Sequence, residues 1–401
     1  MSILIISVSR QRSKFKCDLI PITHMKKAFI ILFSCSIAVL FASYTANHLK
    51  APCLKDAFKN KFYIGVALNS RQILARDTAA MKLIKTHFNS IVAENCMKIG
   101  SLQPKEGQFQ FKEADEFVAF GEKNKMFIIG HTLVWHAQAP SWFFKDENGN
   151  DVSREVLIQR MKTHITTVVS RYKGRVKGWD VVNEAILDDG SWRKSKFYNI
   201  IGEDFIRLAF EFAHAADPEA EFYYNDFSMS QEGKRKGVVA MLHKLRAQGV
   251  KVTSVGMQGH LGLDYPKIEE FEKSIVAFAS EGVNVQITEL DITVLPSPGQ
   301  NVGADVAQNY AYKKEMNPYP DSLPAPVALR LENRYIEFFK LFLKHEDKIS
   351  RVTVWGLTDG DSWRNNWPVF GRKDYPLLFD RAYQPKPVVQ KIAEMSMNGI
   401  Q

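Results

Sequence analysis

The chain has little cysteine, no internal repeat and no linker rich in serine, glycine or proline. Only four cysteines occur among 401 residues, which excludes a small scaffold built on disulfides. Aromatic residues make up 12% and charged residues 24% of the sequence, so a disordered chain is excluded as well. The length is enough for one large barrel-type domain or for several smaller domains.

The basic excess is concentrated in the first 50 residues. The formal net charge is +9, but residues 1–50 hold seven Lys or Arg side chains against one acid, whereas residues 51–401 hold 46 against 43. A nucleic-acid-binding face needs clustered cations, and the body has only short runs such as 234–236, which a solvated helix end explains. We therefore expect no nucleic-acid partner.

An export signal is predicted near the N-terminus. Residues 25–27 (Met-Lys-Lys) precede an uncharged apolar stretch of 15 residues, 28–42, which is short for a membrane span and fits a signal peptide. The predicted organisation is an upstream extension at 1–24, a signal peptide at 25–42, a mature N-terminal segment at 43–54 and one folded domain at 55–397. We expect the processed protein to be extracellular or periplasmic, monomeric, and without a stable membrane span.

Two alternatives to simple release stay open. The apolar stretch could remain as a single membrane anchor, and Cys35 could carry a lipid, although the bulky Phe33 is unfavourable in such a site. Removal of the leader would leave Cys53 and Cys96. These two could pair, or Cys96 could be a free buried thiol.

From residue 62 onward, short apolar runs alternate with longer amphipathic stretches such as 156–172. The eight runs are 63–68, 90–93, 126–134, 177–182, 221–224, 252–257, 284–290 and 351–357. Most are rich in Val, Ile, Phe or Tyr, as buried parallel strands are. Eight strand–helix units predict an α/β fold, a single (β/α)8 TIM barrel. A doubly wound sheet would need a glycine-rich turn after its first strand, where Asn69-Ser70-Arg71 stands.

Polar and aromatic side chains lie at or just beyond the ends of seven of the eight predicted strands. A barrel gathers these ends into one cleft, and burying so many polar groups without partners or a role would cost several kcal/mol. They are Glu94 and Asn95 with Lys98 close behind, His131, Trp135 and His136, Asn183 and Glu184, Asn225 and Asp226, Gln258 and His260, Glu289 and Asp291, and Trp355 with Trp363 beyond it.

These residue types favour acid–base chemistry by carboxyl groups. The sequence contains no H-E-x-x-H, no clustered Cys and His, no EF-hand loop and no G-x-S-x-G elbow, so no metal or other cofactor and no serine nucleophile is predicted. Glu184 and Glu289 form the pair that glycoside hydrolysis needs, with one protonated carboxyl for the leaving oxygen and one carboxylate for the anomeric carbon. Amides and lysine hydrogen-bond sugar hydroxyls, and indoles stack on sugar rings.

Six segments, in order along the chain, resemble the glycoside hydrolase family 10 xylanases. They are FNSIVAENCM at 88–97, HTLVWHAQAPSW at 131–142, WDVVNEA at 179–185, QITELDIT at 286–293, VTVWGLTDGDSW at 352–363 and PLLFDRAYQPKP at 376–387. The resemblance covers residues 55–397, which makes this segment the catalytic domain. It implies a (β/α)8 fold and endo-hydrolysis, with retention, of the β-1,4 bonds of xylan and xylo-oligosaccharides.

The resemblance also implies a role for each residue of the cleft. Glu184 is the acid/base and Glu289 the nucleophile. Asn183 holds the sugar 2-hydroxyl, and His260 and Asp291 keep the nucleophile ionised. The implied sugar contacts are Glu94, Asn95, Lys98, His131, Gln138 and Trp363 on the glycone side, Trp135 and Trp355 as walls, Gln258 under the reacting ring, and Tyr224 and Asn225 on the leaving-group side.

A retaining pair predicts carboxyl groups about 5–5.5 Å apart, whereas a gap near ~8 Å would indicate inversion. The ionised Glu289 would raise the proton affinity of Glu184 and so divide the two roles. Two rival functions stay open. One is another retaining barrel glycosidase that acts on glucan or mannan, and the other is a non-catalytic polysaccharide-binding protein, against which the presence of both glutamates argues.

Overall fold

Parallel strands with both faces buried form the centre of the molecule. The computed structural model describes residues 53–74, 77–299, 306 and 309–399. Its strands are β1 (Tyr63–Leu68), β2 (Ser90–Ala93), β3 (Phe127–Trp135), β4 (Gly178–Asn183), β5 (Glu221–Asp226), β6 (Ser254–Met257), β7 (His260–Gly262), β8 (Asn284–Thr293) and β9 (Ile349–Val354). Nearly every residue of these strands is buried, as a sheet requires when helices cover its outer face and side chains fill its interior.

The sheet closes on itself, which confirms the predicted (β/α)8 barrel. The strand order is β6-β5-β4-β3-β2-β1-β9-β8-β7, and β6 also pairs with β8, so eight parallel strands form a closed cylinder. β7 follows β6 after Gln258 and Gly259 and pairs with β8 through His260 and Asp291. This break was not predicted. It depends on Gly259, whose φ of 79° lies in the left-handed region that favours glycine.

Helices cover the outside of the barrel between successive strands. They are α1 (Leu54–Ala57), α2 (Ser70–Ile73), α3 (Thr78–His87), α4 (Ile99–Leu102), α5 (Lys112–Lys123), α6 (Arg154–Arg171), α7 (Lys196–Ile201), α8 (Asp204–Ala216), α9 (Glu232–Ala247), α10 (Ile268–Ala279), α11 (Ala325–Lys344) and α12 (Pro387–Asn398). Helix α6 shows the pattern: Ser153 caps its first turn. It buries the apolar face that its period predicts, namely Leu157, Met161, Ile165, Val168 and Val169.

Because all the pairings are parallel, the carboxyl ends of the strands meet at one end of the barrel. Two register irregularities lie near this end, between His131 and Val134 of β3 and between Asp180 and Val182 of β4. Such bulges change the direction of the side chains around them. Both bulges therefore lie on strands that carry predicted site residues.

Several sequence-based predictions concern residues outside the described part of the chain. These are the upstream extension at 1–24, the signal peptide at 25–42 with Cys35, and most of the segment at 43–54. Cys53 and Cys96 are described, and both are free thiols, so the pairing that the sequence left open is not formed. No helix in the described ranges combines the length and the apolar character that crossing a membrane requires.

Candidate active site

One open cavity at the carboxyl end of the barrel collects thirteen of the sixteen residues that the sequence assigns to the site. Its lining is Glu94, Asn95, Lys98, His131, Trp135, Gln138, Asn183, Glu184, Gln258, His260, Glu289, Val306, Trp355 and Trp363. Val306 was not predicted and comes from the long connection after β8. The three predicted residues outside this lining, Tyr224, Asn225 and Asp291, lie buried beside it.

Glu184 is the first residue after β4, and its backbone turns sharply. Its φ is 61°, a left-handed value that non-glycine residues rarely adopt. The backbone N–H donates to the carbonyl of Asn225 at 2.9 Å, and its own carbonyl accepts from Nε of Arg193 at 2.9 Å. The surrounding structure therefore holds an unfavourable conformation in place, as is typical of functional sites.

Glu184 is 4% exposed, and its carboxyl accepts hydrogen bonds from three donors. Trp135 Nε1 donates to Oε2 at 2.8 Å, while Gln258 Nε2 and Asn183 Nδ2 donate to Oε1 at 3.0 and 3.3 Å. Burial and the nearby Asp226 carboxylate, against the opposing hydrogen bonds, raise the pKa of Glu184 to about 7. The group can hold a proton near neutral pH, as a general acid must.

Glu289 lies in β8 and has the opposite shift. Its Oε1 accepts from Asn225 Nδ2 at 2.8 Å, and its Oε2 lies 3.1 Å from His260 Nε2. Burial alone would raise the pKa of Glu289, but the hydrogen bond and charge of His260 outweigh it and hold the pKa below its ordinary value. The carboxylate therefore stays ionised where a nucleophile is needed.

Asp291 keeps His260 charged. The imidazole Nδ1 lies 3.1 Å from Asp291 Oδ2. Burial opposes the charged ring, yet the carboxylates of Asp291 and Glu289 raise the pKa of His260 to about 9. Asp291 is itself fully buried and accepts from Trp363 Nε1 and Arg364 Nε, both at 2.8 Å. No motif in the sequence had indicated Arg364.

Hydrogen-bonded amides connect the two acids. Asn225 Nδ2 donates to Asn183 Oδ1 at 3.0 Å and to Glu289 at 2.8 Å, and Asn183 in turn donates to Glu184. Thr288 Oγ1 donates to Asn225 Oδ1 at 2.6 Å. Because Asn225 is fully buried and its amide is occupied, the structure places it between the acids and not in a leaving-group subsite.

Tyr224 also differs from its predicted place. It is fully buried, and its hydroxyl donates to Asp226 Oδ2 at 2.5 Å. The same oxygen accepts from the backbone N–H groups of Ala185 and Ile186, each at 3.1 Å. With all of these bonds made inside the protein, Tyr224 supports the turn after Glu184 and does not present its hydroxyl to a sugar.

Charged and amide groups occupy another part of the cavity wall. Lys98 Nζ donates to Asn95 Oδ1 at 2.9 Å and lies 4.9 Å from the ring centroid of Trp135. Burial lowers the pKa of Lys98 despite the neighbouring glutamates, and burial raises the pKa of Glu94. These groups are hydrogen-bonding partners of the kind that sugar hydroxyls need.

Aromatic rings complete the wall. The ring of His131 lies edge-on to Trp355 at 5.3 Å between centroids, and its Nδ1 lies 2.8 Å from Asp180 Oδ2. Trp363 stacks on Trp367 at 4.5 Å between ring centroids. The indoles are thus fixed by neighbours before any ligand binds, which reduces the entropy lost on binding.

A (β/α)8 barrel whose cleft holds two buried carboxyls of opposite pKa shift, among amides and indoles, defines a glycoside hydrolase. Within the described ranges, no three His, Cys, Asp or Glu side chains are grouped so as to hold a metal ion. The chemistry available to these residues is proton transfer and carboxylate attack.

The chain belongs to glycosyl hydrolase family 10, whose family model matches residues 53–395. It is 52% identical over 344 residues to endo-1,4-beta-xylanase A of Xylanibacter ruminicola, covering 86% of this chain and 93% of that protein. It is 41% identical over 354 residues to the endo-1,4-beta-xylanase of Geobacillus stearothermophilus, covering 86% and 98%.

Solved structures show the same similarity. A family 10 endoxylanase retrieved from a sugarcane soil metagenome has a TM-score of 0.83 and 46% identity, covering 85% of this chain and 99% of that one. A mutant of the intracellular xylanase of Thermoanaerobacterium saccharolyticum, solved in complex with xylotriose, has a TM-score of 0.74 and 35% identity, covering 86% and 99%.

Proposed function

We propose that the protein is an endo-1,4-β-xylanase that hydrolyses internal xylosidic bonds of xylan with retention, by two successive displacements. The observation that carries the proposal is the pairing of a carboxyl with raised pKa, Glu184, and one with lowered pKa, Glu289, in one cavity. The names of the relatives support xylan as the substrate, and the similar structure solved with xylotriose supports xylo-oligosaccharides.

In the first displacement, the carboxylate of Glu289 attacks the anomeric carbon while Glu184 gives its proton to the oxygen of the leaving sugar. The glycosidic C–O bond breaks, and an ester forms between Glu289 and the retained sugar. The hydrogen bonds from Trp135 and Gln258 to Glu184 fix its orientation and stabilise the carboxylate that remains after proton transfer.

In the second displacement, Glu184 acts as the base. Ester formation removes the negative charge of Glu289, which is one of the groups that raise the pKa of Glu184. Glu184 is therefore a carboxylate that takes a proton from water, and the hydroxide attacks the anomeric carbon and frees Glu289. Two inversions at the same carbon give net retention.

The cavity wall supports a sugar chain as the ligand. The rings of Trp355 and Trp363 offer apolar faces, while Lys98, Asn95 and Gln138 offer hydrogen-bonding groups. Glucose differs from xylose by a hydroxymethyl group on C5, so crowding by the two indoles would favour xylose. A comparison of xylan with carboxymethylcellulose separates the proposed substrate from glucan.

Product stereochemistry tests the mechanism. Proton NMR during hydrolysis of a xylo-oligosaccharide should show the β-anomer of the new reducing end first, and an initial α-anomer would exclude retention.

Glu289→Ala should abolish turnover on xylan, and azide should restore cleavage with an inverted product. Glu184→Ala should retain activity on aryl xylosides with activated leaving groups far better than on xylan. Absence of reducing sugar from xylan would instead favour a binding protein.

We further propose that the enzyme is exported through the leader at 25–42 and works as a monomer. The support for export is the Met-Lys-Lys start followed by the apolar stretch. N-terminal sequencing of the exported protein should find a start close after Ala42, and a product that keeps the leader would contradict the proposal. Light scattering on the purified enzyme measures the oligomeric state.

A further inference from the structure

A buried polar cluster adjoins the turn that carries Glu184. Asp226, the last residue of β5, and Lys234, in the first turns of α9, are both fully buried. Lys234 Nζ lies 2.9 Å from Asp226 Oδ1 and 3.4 Å from Oδ1 of Asp188. Burying two opposite charges is costly unless their geometry is good and their remaining bonds are satisfied.

The cluster holds the backbone that follows Glu184. Lys234 Nζ donates to the carbonyl of Ile186 at 2.6 Å. On the other side, the hydroxyl of Tyr224 accepts from the N–H of Ala185 and of Ile186 and donates to Asp226 Oδ2. Both the N–H and the C=O of Ile186 are therefore bonded to a single unit of three side chains.

Glu184 needs such support. Its φ of 61° is strained for a residue with a Cβ atom and persists only when neighbouring bonds over-determine it. The bonds from the cluster fix the next two residues of the chain. The orientation of the carboxyl toward Trp135 and Gln258 depends on this turn.

We infer that Asp226 and Lys234 are positioning residues of the reaction, whose opposite charges set the orientation of Glu184 and the pH at which it gives up its proton. The inference rests on the proposed acid/base role of Glu184. Neither residue lines the cavity, so both act through Glu184 and not on the sugar.

Electrostatics supports the same pairing. After burial, the Asp226 carboxylate is the main reason that the pKa of Glu184 is raised. The charged groups around Glu184 are Asp226 from β5, Glu289 from β8, Lys98 from the segment after β2 and Arg193 from the segment after β4. The positive charge of Lys234, 2.9 Å from Asp226 Oδ1, opposes the charge of Asp226 and limits the rise.

Removing either charge should move the pH profile, by an amount that differs between the two variants. In Asp226→Asn, the alkaline limb of kcat/KM on an aryl xylobioside should shift to lower pH, because a negative neighbour is lost and a cation remains. In Lys234→Met, the buried Asp226 loses its cation and should take up a proton, because burial raises its pKa and Lys234 is the main group that lowers it. The limb should then move to lower pH by less than in Asp226→Asn, because the negative and the positive charge are lost together. We expect a shift of about one pH unit for Asp226→Asn, the low end of the effect of a close charge.

The double variant Asp226→Asn/Lys234→Met leaves no unpaired buried charge, and its limb should coincide with that of Lys234→Met. The matched control is Asp217→Asn, which removes another buried carboxylate. Asp217 precedes β5, at the end of the strand away from Asp226, and accepts from Gly174 N at 2.9 Å. That variant should leave both limbs unchanged. Unmoved limbs in both single variants, or a larger shift in Lys234→Met than in Asp226→Asn, would overturn the inference.

If a charge variant does not fold, Tyr224→Phe tests whether the cluster positions Glu184. It removes only the hydroxyl that holds Ala185 and Ile186. We expect a loss of about tenfold or more on xylobiosides with poor leaving groups, which need a well-oriented acid, and little loss on activated ones. Equal losses on both would overturn the inference. An alkaline limb that persists in Glu184→Ala would instead contradict the proposed role of Glu184 itself.

Discussion

His260 donates through Nε2 to the carboxylate of Glu289 across 3.1 Å, and both side chains are almost completely buried. In such surroundings an isolated carboxylate would take up a proton and cease to be a nucleophile. The imidazolium prevents this, and it can do so because Asp291 contacts its other ring nitrogen. The three groups form a chain of alternating charge that ends on Arg364.

Replacing His260 by Gln should raise the pKa of Glu289, because the positive charge and part of the hydrogen bonding are lost. The acidic limb of kcat/KM should therefore move to higher pH, by about one unit or more. The control is His164→Asn, since His164 is buried and its Nδ1 contacts Gln103 Oε1 at 2.9 Å, outside the cavity lining. An acidic limb that stays in place in His260→Gln would refute the charge argument.

The native enzyme should show a bell-shaped pH dependence of kcat/KM on xylo-oligosaccharides. The acidic limb belongs to ionisation of Glu289, whose pKa is held below its ordinary value of 4.5. Activity is lost there as pH falls and the nucleophile is protonated. The alkaline limb belongs to Glu184 and should lie near its pKa of about 7, because activity is lost as the acid gives up its proton. An alkaline limb above about pH 9 would contradict this assignment.

Trp135→Phe should shift the alkaline limb upward. The indole N–H donates to Glu184 Oε2 at 2.8 Å and stabilises the carboxylate form, so its removal should raise the pKa of Glu184 further. The phenyl ring keeps an apolar wall, which limits the change in KM. Trp142→Phe is the matched control, because that indole donates to the backbone carbonyl of Gln103 outside the cavity lining. A downward shift in Trp135→Phe would be inconsistent with the hydrogen bond acting on the ionised form.

Much of this arrangement can be predicted from the sequence because barrel geometry converts strand ends into neighbours. The apolar runs at 63–68 and 90–93 coincide with β1 and β2, and the polar residues after them need only parallel pairing to converge. Glu184 and Glu289, which stand 105 positions apart in the numbering, line the same cavity for this reason.

The support behind the cavity was not predictable in the same way. Asp226 was identified as a strand-end residue, but nothing local indicates that Lys234, in the next helix, is buried against it. A Lys-Arg-Lys run is typical of an exposed helix end. Lys234, the first lysine of this run, is nevertheless buried, because α9 passes the turn that carries Glu184. The resemblance implied a sugar contact for Tyr224, and only the packing shows that its hydroxyl is bonded to Asp226 and to the backbone of Ala185 and Ile186.

Packing between β3 and β4 offers a test of the fold itself. Gly130 pairs with Trp179 across these strands, and a Cβ atom at position 130 would lie 2.1 Å from Cε3 of that indole. Because Trp179 is buried on all sides, it cannot move away without disturbing the core. Gly130→Ala should therefore lower the free energy of unfolding by about 3 kcal/mol, the upper range for overpacking, as measured by urea denaturation.

Gly174→Ala is the comparison, since its φ is 71° with nothing within 4 Å, and backbone strain alone should cost about 1 kcal/mol. Equal losses in the two variants would mean that the Trp179 contact is not what requires glycine at position 130.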